Sequence, residues 1–225
     1  MIKKESLKQL LHSMNFNEEN NIFTKKYFDD SVIKIDFLKE TICYPNETKV
    51  NDLTTSNFEH PENFVVLECV NRLIEKGYKA SNLELEPRWQ LGRGASGGKA
   101  DILVKDNNGN EYLIIECKTF GDEFDKAWKK TLDDGDQLFS YAQQIKKTQF
   151  LCLYSSDIDN GKINYLNKII ILKDNKDFLK TLKQSKRKTY KDASDVKELY
   201  KVWKDIYNLE FEELGILNLN LNHII

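Results

Sequence analysis

With 225 residues, 40% of them apolar and 31% charged, the chain can bury one sizeable α/β core. No apolar run approaches the ~20 residues that a membrane-spanning helix needs, and a formal charge of −2 excludes a global cationic field, so any nucleic-acid contact has to come from a local patch. Four scattered cysteines (Cys43, Cys69, Cys117, Cys152) and three distant histidines give no zinc spacing, which predicts reduced thiols in a cytoplasmic protein.

The opening MIKKESLKQLLHSMN has no cleavage-site pattern. Leu7, Leu10, Leu11 and Met14 recur at helical spacing and predict a short helix over 4–14. Alternating apolar residues over 21–28 and 31–38 predict a two-stranded ribbon turning at Asp29-Asp30, and 44–57 reads as loop. Residues 1–60 are thus expected to be an N-terminal appendage. Pro61 suits a first helical position, and PENFVVLECVNRLIEKG predicts a helix closed by Gly77. Within it Glu68 interrupts the apolar run from Phe64 to Val70; as an ordinary solvent-side residue it would pair with Arg72 one turn on. Leu83–Trp89 reads as an edge strand, because Pro87 would remove a ladder donor from a central one. The glycine-rich stretch from Gly92 to Lys99 is not a phosphate-binding P-loop, since Ala100 follows Lys99 and a strand follows in place of a helix. It is either a flexible connection or a basic loop offering Arg93 and Lys99 to a nucleic-acid backbone.

Residues 98–118, GKADILVKDNNGNEYLIIECK, carry the strongest local signal. Two apolar runs flank Asn108-Gly109, the sequence preferred in a two-residue type I′ hairpin. In that register Asp101 lies opposite Glu116, with Cβ atoms roughly 4.5–5.5 Å apart. Lys118 shares the face of Glu116, and Cys117 points the other way. Opposed carboxylates at the end of a buried ribbon repel unless one protonates or a hard divalent cation sits between them. The ammonium of Lys118 could then act on a water or a phosphate. The plainer alternative is an exposed hairpin end in which Lys118 neutralises both acids.

Further on, a helix is expected over 122–132, and a second from Asp136 to Lys146 places Gln137 and Tyr141 one turn apart on one face. Thr148–Tyr154 and Lys162–Leu172 read as strands. A short helix at 174–181, a basic run at 183–191 and a helix over 195–207 precede an apolar tail, LGILNLNLNHII. That tail suggests that a downstream domain follows residue 225, with 183–225 as a linker to it.

Asp101, Glu116-Cys117-Lys118 and the later Gln137-Leu138-Phe139-Ser140-Tyr141 resemble the D…ExK and QxxxY motifs of the PD-(D/E)XK nuclease superfamily. The combination is similar to the N-terminal nuclease domain of restriction–modification enzymes, either the type I restriction subunit or a single-chain nuclease–methyltransferase fusion. The resemblance implies an α/β fold: a restriction-endonuclease-like core over 61–182 with a central mixed β-sheet flanked by helices, plus the N-terminal β-ribbon and a C-terminal helix. It implies hydrolysis of double-stranded DNA with Mg2+, for which Mn2+ substitutes. Asp101, Glu116 and the Cys117 carbonyl would be metal ligands, Lys118 a catalytic residue, Glu68 an ancillary ligand or base, and Gln137 and Tyr141 contacts to DNA. Partners would be a downstream motor or methyltransferase domain, or the subunits of a restriction–modification complex, away from any membrane. The competing class is a DNA- or protein-docking module with a nuclease fold and no chemistry of its own; a third is an unrelated α/β scaffold.

Overall fold

The computed structural model of the protein describes residues 1–88, 99–134 and 148–172. Arg93, Gln137, Tyr141 and the elements expected at 136–146 and beyond 172 lie outside the described residues. Among those described, two sheets and three α-helices form a mixed α/β structure.

The N-terminal helix α1 (Lys4–Ser13) buries Leu7, Leu10 and Leu11, the face that its spacing predicts. The expected ribbon is present as β2 (Ile22–Lys26) and β3 (Val32–Asp36), paired antiparallel, and it is wider than predicted. β1 (Asn17–Glu19) and β4 (Thr41–Cys43) complete a four-stranded sheet in the order β1-β2-β3-β4.

Six strands make the second sheet: β5 (Lys49–Val50), β6 (Leu83–Leu85), β7 (Ile102–Lys105), β8 (Glu111–Cys117), β9 (Phe150–Asp159) and β10 (Lys162–Ile171). Their order is β10-β9-β8-β7-β6-β5, with β5/β6 and β8/β9 parallel and the other pairs antiparallel. Two expectations need correction here. Residues 44–57 are not all loop, because Lys49–Val50 adds a short parallel strand beside β6. β6 is therefore not an edge strand, and it ends at Leu85, before Pro87.

Helix α2 (Glu62–Glu75) is buried along almost its whole length, from Asn63 to Asn71 and again at Leu73 and Ile74. Gly77, at φ +107°, ends it: its N–H donates to Ile74 O, and Tyr78 N–H donates to Leu73 O at 3.2 Å. A helix buried on all sides must be covered on all sides. The N-terminal segment covers one side: Phe58 lies against Phe64, Tyr27 Oη donates to Asn71 Oδ1 at 2.8 Å, and Lys25 of β2 reaches Asn71 and Glu75. The six-stranded sheet covers another through β8 and β9. Buried side chains of residues 2–58 and 64–169 form one continuous cluster, so the N-terminal segment shares its core with the rest. Helix α3 (Asp122–Asp134) follows Gly121 and packs on β9; its acidic first turn suits the positive end of the helix dipole. Among the described residues no helix is long and apolar enough to cross a membrane.

Candidate functional site

The hairpin reaches the register that the sequence predicts, but by another route. Ile102 faces Ile115, Leu103 faces Ile114 and Val104 faces Leu113, which sets Asp101 level with Glu116. The turn is not a two-residue type I′ turn, which would need positive φ at Asn108 as well as at Gly109. Only Gly109 has it (+76°), and Asp106 O accepts from Gly109 N–H at 3.0 Å. The Asp106 carboxylate holds the turn, its Oδ1 accepting from the N–H groups of Asn108 (2.9 Å) and Asn110 (2.8 Å). This turn offsets the pairing by one, Lys105 facing Glu111, and a bulge between Val104 and Lys105 restores it.

Asp101 sits where β7 stops pairing. Its Oδ2 accepts the Cys117 N–H at 2.7 Å, so the side chain takes the place of a ladder carbonyl. Cys117 N–H faces this edge, and in a strand the carbonyl of the same residue faces the same way. The Cys117 side chain is buried against Cys69 on the opposite face, where burial and that neighbour hold its thiol above its ordinary pKa. Lys118 Nζ lies 2.8 Å from Glu116 Oε1 and 3.3 Å from Glu62 Oε2. Glu116 is nearly fully buried, and Lys118 and Glu62 are partly exposed. Glu62 stands in the first turn of α2, where the helix dipole favours an anion.

Charge crowding shapes this cluster. Burial, then Glu116, then Glu62 push the Asp101 carboxyl well above the usual carboxylate range, against the pull of Lys118 and the Cys117 N–H. For Lys118, burial alone would lower the ammonium pKa; Glu116, Glu62 and Asp101 outweigh it, and the net shift is upward. Among the described residues no group of three or more His, Cys, Asp or Glu is disposed to hold a metal. The donors at this edge are two carboxylates and a main-chain carbonyl. Hard oxygens in that number suit an Mg2+ ion that keeps several waters.

Of the predicted residues, the structure brings together Asp101, Glu116, Cys117 and Lys118. It does not bring Glu68 to them. Both Glu68 oxygens are held elsewhere: Tyr154 Oη donates to Oε2 at 2.5 Å, and Arg72 donates to Oε1 from Nε (3.0 Å) and Nη2 (2.8 Å). Arg72 also lies 3.8 Å over the Tyr165 ring. The Glu68–Arg72 pair is thus present as the plain reading expects, yet buried between elements instead of facing solvent. Glu62 is the helix glutamate at the cluster, and nothing in the sequence singles it out. Lys99 is placed away from a free phosphate-contacting role: its ammonium contacts Glu86 and Thr54 and lies 3.8 Å from Asp52.

No protein-family model matches the chain, and no curated protein matches it.

Proposed function

We propose that the protein is a divalent-metal-dependent nuclease acting on double-stranded DNA, built on a restriction-endonuclease-like core, and that it is the cleavage domain of a restriction–modification enzyme. The observation that carries the reading is the meeting of Asp101, Glu116 and Lys118 where β7 and β8 end, with Glu62 beside them. Asp101, Glu116 and the Cys117 carbonyl would hold Mg2+ or Mn2+, which when bound neutralises the opposed acids and polarises a phosphoryl oxygen. Lys118 remains an ammonium, so its part is to orient the attacking water and to stabilise charge that grows on the phosphate. Glu62 fixes the Lys118 ammonium from the helix side. Glu68 drops out of the chemistry; it joins α2 to β9.

The test is nicking of supercoiled plasmid with Mg2+ or Mn2+ by the parent and by Asp101→Ala and Lys118→Ala, each shown to be folded. Cleavage by the parent and its loss in both variants is the expected result. Equal cleavage by all three would trace the activity to another site or to a contaminant and would refute the assignment.

A further inference from the structure

Glu86 has no part in the site as described so far, and three observations set it apart. It is a non-glycine residue at φ +53° immediately before Pro87, a position that favours extended backbone. It is fully buried, and its Oε2 has no hydrogen-bond partner among the described residues. Its backbone N–H donates to the Asp101 carbonyl at 2.9 Å.

The register explains why this matters. Leu85 faces Ile102 in the β6–β7 ladder, and an isolated bridge pairs Arg88 with Lys99, so Glu86 stands level with Asp101. Asp101 in turn stands level with Glu116 across β7 and β8. Regular strand geometry would line up three carboxylates on three adjacent strands, and like charges side by side on a sheet repel. The left-handed backbone at Glu86 breaks that row. Its Oε1 is taken instead by the Lys99 ammonium and the Thr54 hydroxyl. The same residue thus bonds Lys99 and Thr54 through its side chain and the Asp101 carbonyl through its backbone N–H.

We propose that Glu86 is a positioning residue: anchored by Lys99 and Thr54, it fixes Asp101 at the end of β7. The catalytic consequence rests on the nuclease reading above; the positioning itself does not.

The experiment compares the full chain with Glu86→Gln, which keeps the shape and loses the anion, and Glu86→Gly, which relieves the backbone and removes the side chain. Lys99→Met, which removes the cation from the other side, carries the same comparison should a Glu86 substitution unfold the chain. Amide hydrogen exchange by NMR reads Cys117, whose acceptor is the Asp101 carboxylate. Exchange at Cys117 is expected to rise at least tenfold, with Leu113 and Ile114 unchanged. In plasmid cleavage, kcat is expected to fall tenfold or more at unchanged KM. Unchanged exchange at Cys117 overturns the proposal, as does a rise shared equally by Leu113 and Ile114, which marks a merely structural role. Faster exchange with parental kcat upholds the positioning and overturns its catalytic consequence. A parent that neither binds Mn2+ nor cleaves DNA refutes the nuclease reading, and the exchange at Cys117 still decides whether Glu86 positions Asp101.

Discussion

Lys118 owes its state to its neighbours. Partial burial disfavours the ammonium, and three carboxylates around it favour the charge more strongly, so it stays protonated at neutral pH. A group in that state is an electrostatic stabiliser and not a base. Lys118→Met is expected to slow plasmid cleavage roughly 10²–10³-fold, the usual loss when one such stabilising donor is removed. Glu62 and Glu68, both on α2, should separate cleanly. Glu62→Gln should reduce cleavage with little change in the urea midpoint, since Glu62 is partly exposed. Glu68→Ala should leave Arg72 buried without its counter-ion and cost roughly 3–5 kcal/mol in urea unfolding. The reverse pattern would restore Glu68 to the site. At this scale Asp101, Glu116 and Lys118 were legible because strand alternation and hairpin register are local rules. Glu62 and Glu86 were not, since the first depends on where α2 begins in space and the second on a positive φ that a glutamate before proline does not signal.

The hairpin shows how an element can meet its expected register through an unexpected turn. Asn-Gly marks the turn, but the Asp106 carboxylate, by accepting two backbone N–H groups, stabilises a turn that needs positive φ at Gly109 alone. The bulge beside Lys105 then absorbs the offset of one residue. Replacing Gly109 by alanine should destabilise the protein by about 1–2 kcal/mol in thermal or urea unfolding, the cost of a left-handed L-residue. Tyr112, close to that bulge on β8 and 5.2 Å from the Phe150 ring, has its phenol pushed up to about 12 by burial. The folded chain therefore keeps a proton that the unfolded chain loses near pH 10. Stability from this group is fully present below pH ~10 and is lost as pH rises towards ~12. Tyr112→Phe should flatten the fall in unfolding free energy over that window; an unchanged slope would contradict the burial.

Across the whole molecule, the arrangement turns on α2 being covered from both sides. Its sequence alone suggested an apolar face and a polar face with Glu68, Asn71 and Glu75, which is the pattern of a surface helix. The N-terminal segment covers part of that polar side, where Lys25 and Tyr27 meet Asn71 and Lys25 meets Glu75, and β9 covers Glu68 through Tyr154. Periodicity identifies a helix; it does not reveal that other elements will cover the face that looks wet. For the same reason residues 1–60 were expected to be an appendage, although their buried side chains join the main cluster. A chain beginning at residue 61 would expose Phe64 and its neighbours, and it should lose cooperative thermal unfolding by calorimetry. A sharp transition in that truncated chain would show that the core is self-sufficient. The mixed order of the six-stranded sheet was legible only in part, because the two-residue strand β5 is too short to have a pattern.

The measurement that bears most directly on this account is calorimetric titration of the intact chain with Mn2+, run beside Asp101→Ala and Glu116→Gln. The account predicts saturable binding by the parent and its loss in both variants, with thermal unfolding showing all three folded. A parent that takes up no Mn2+, or variants that bind it as the parent does, would contradict the claim that the paired carboxylates at the ends of β7 and β8 form a metal-dependent active site.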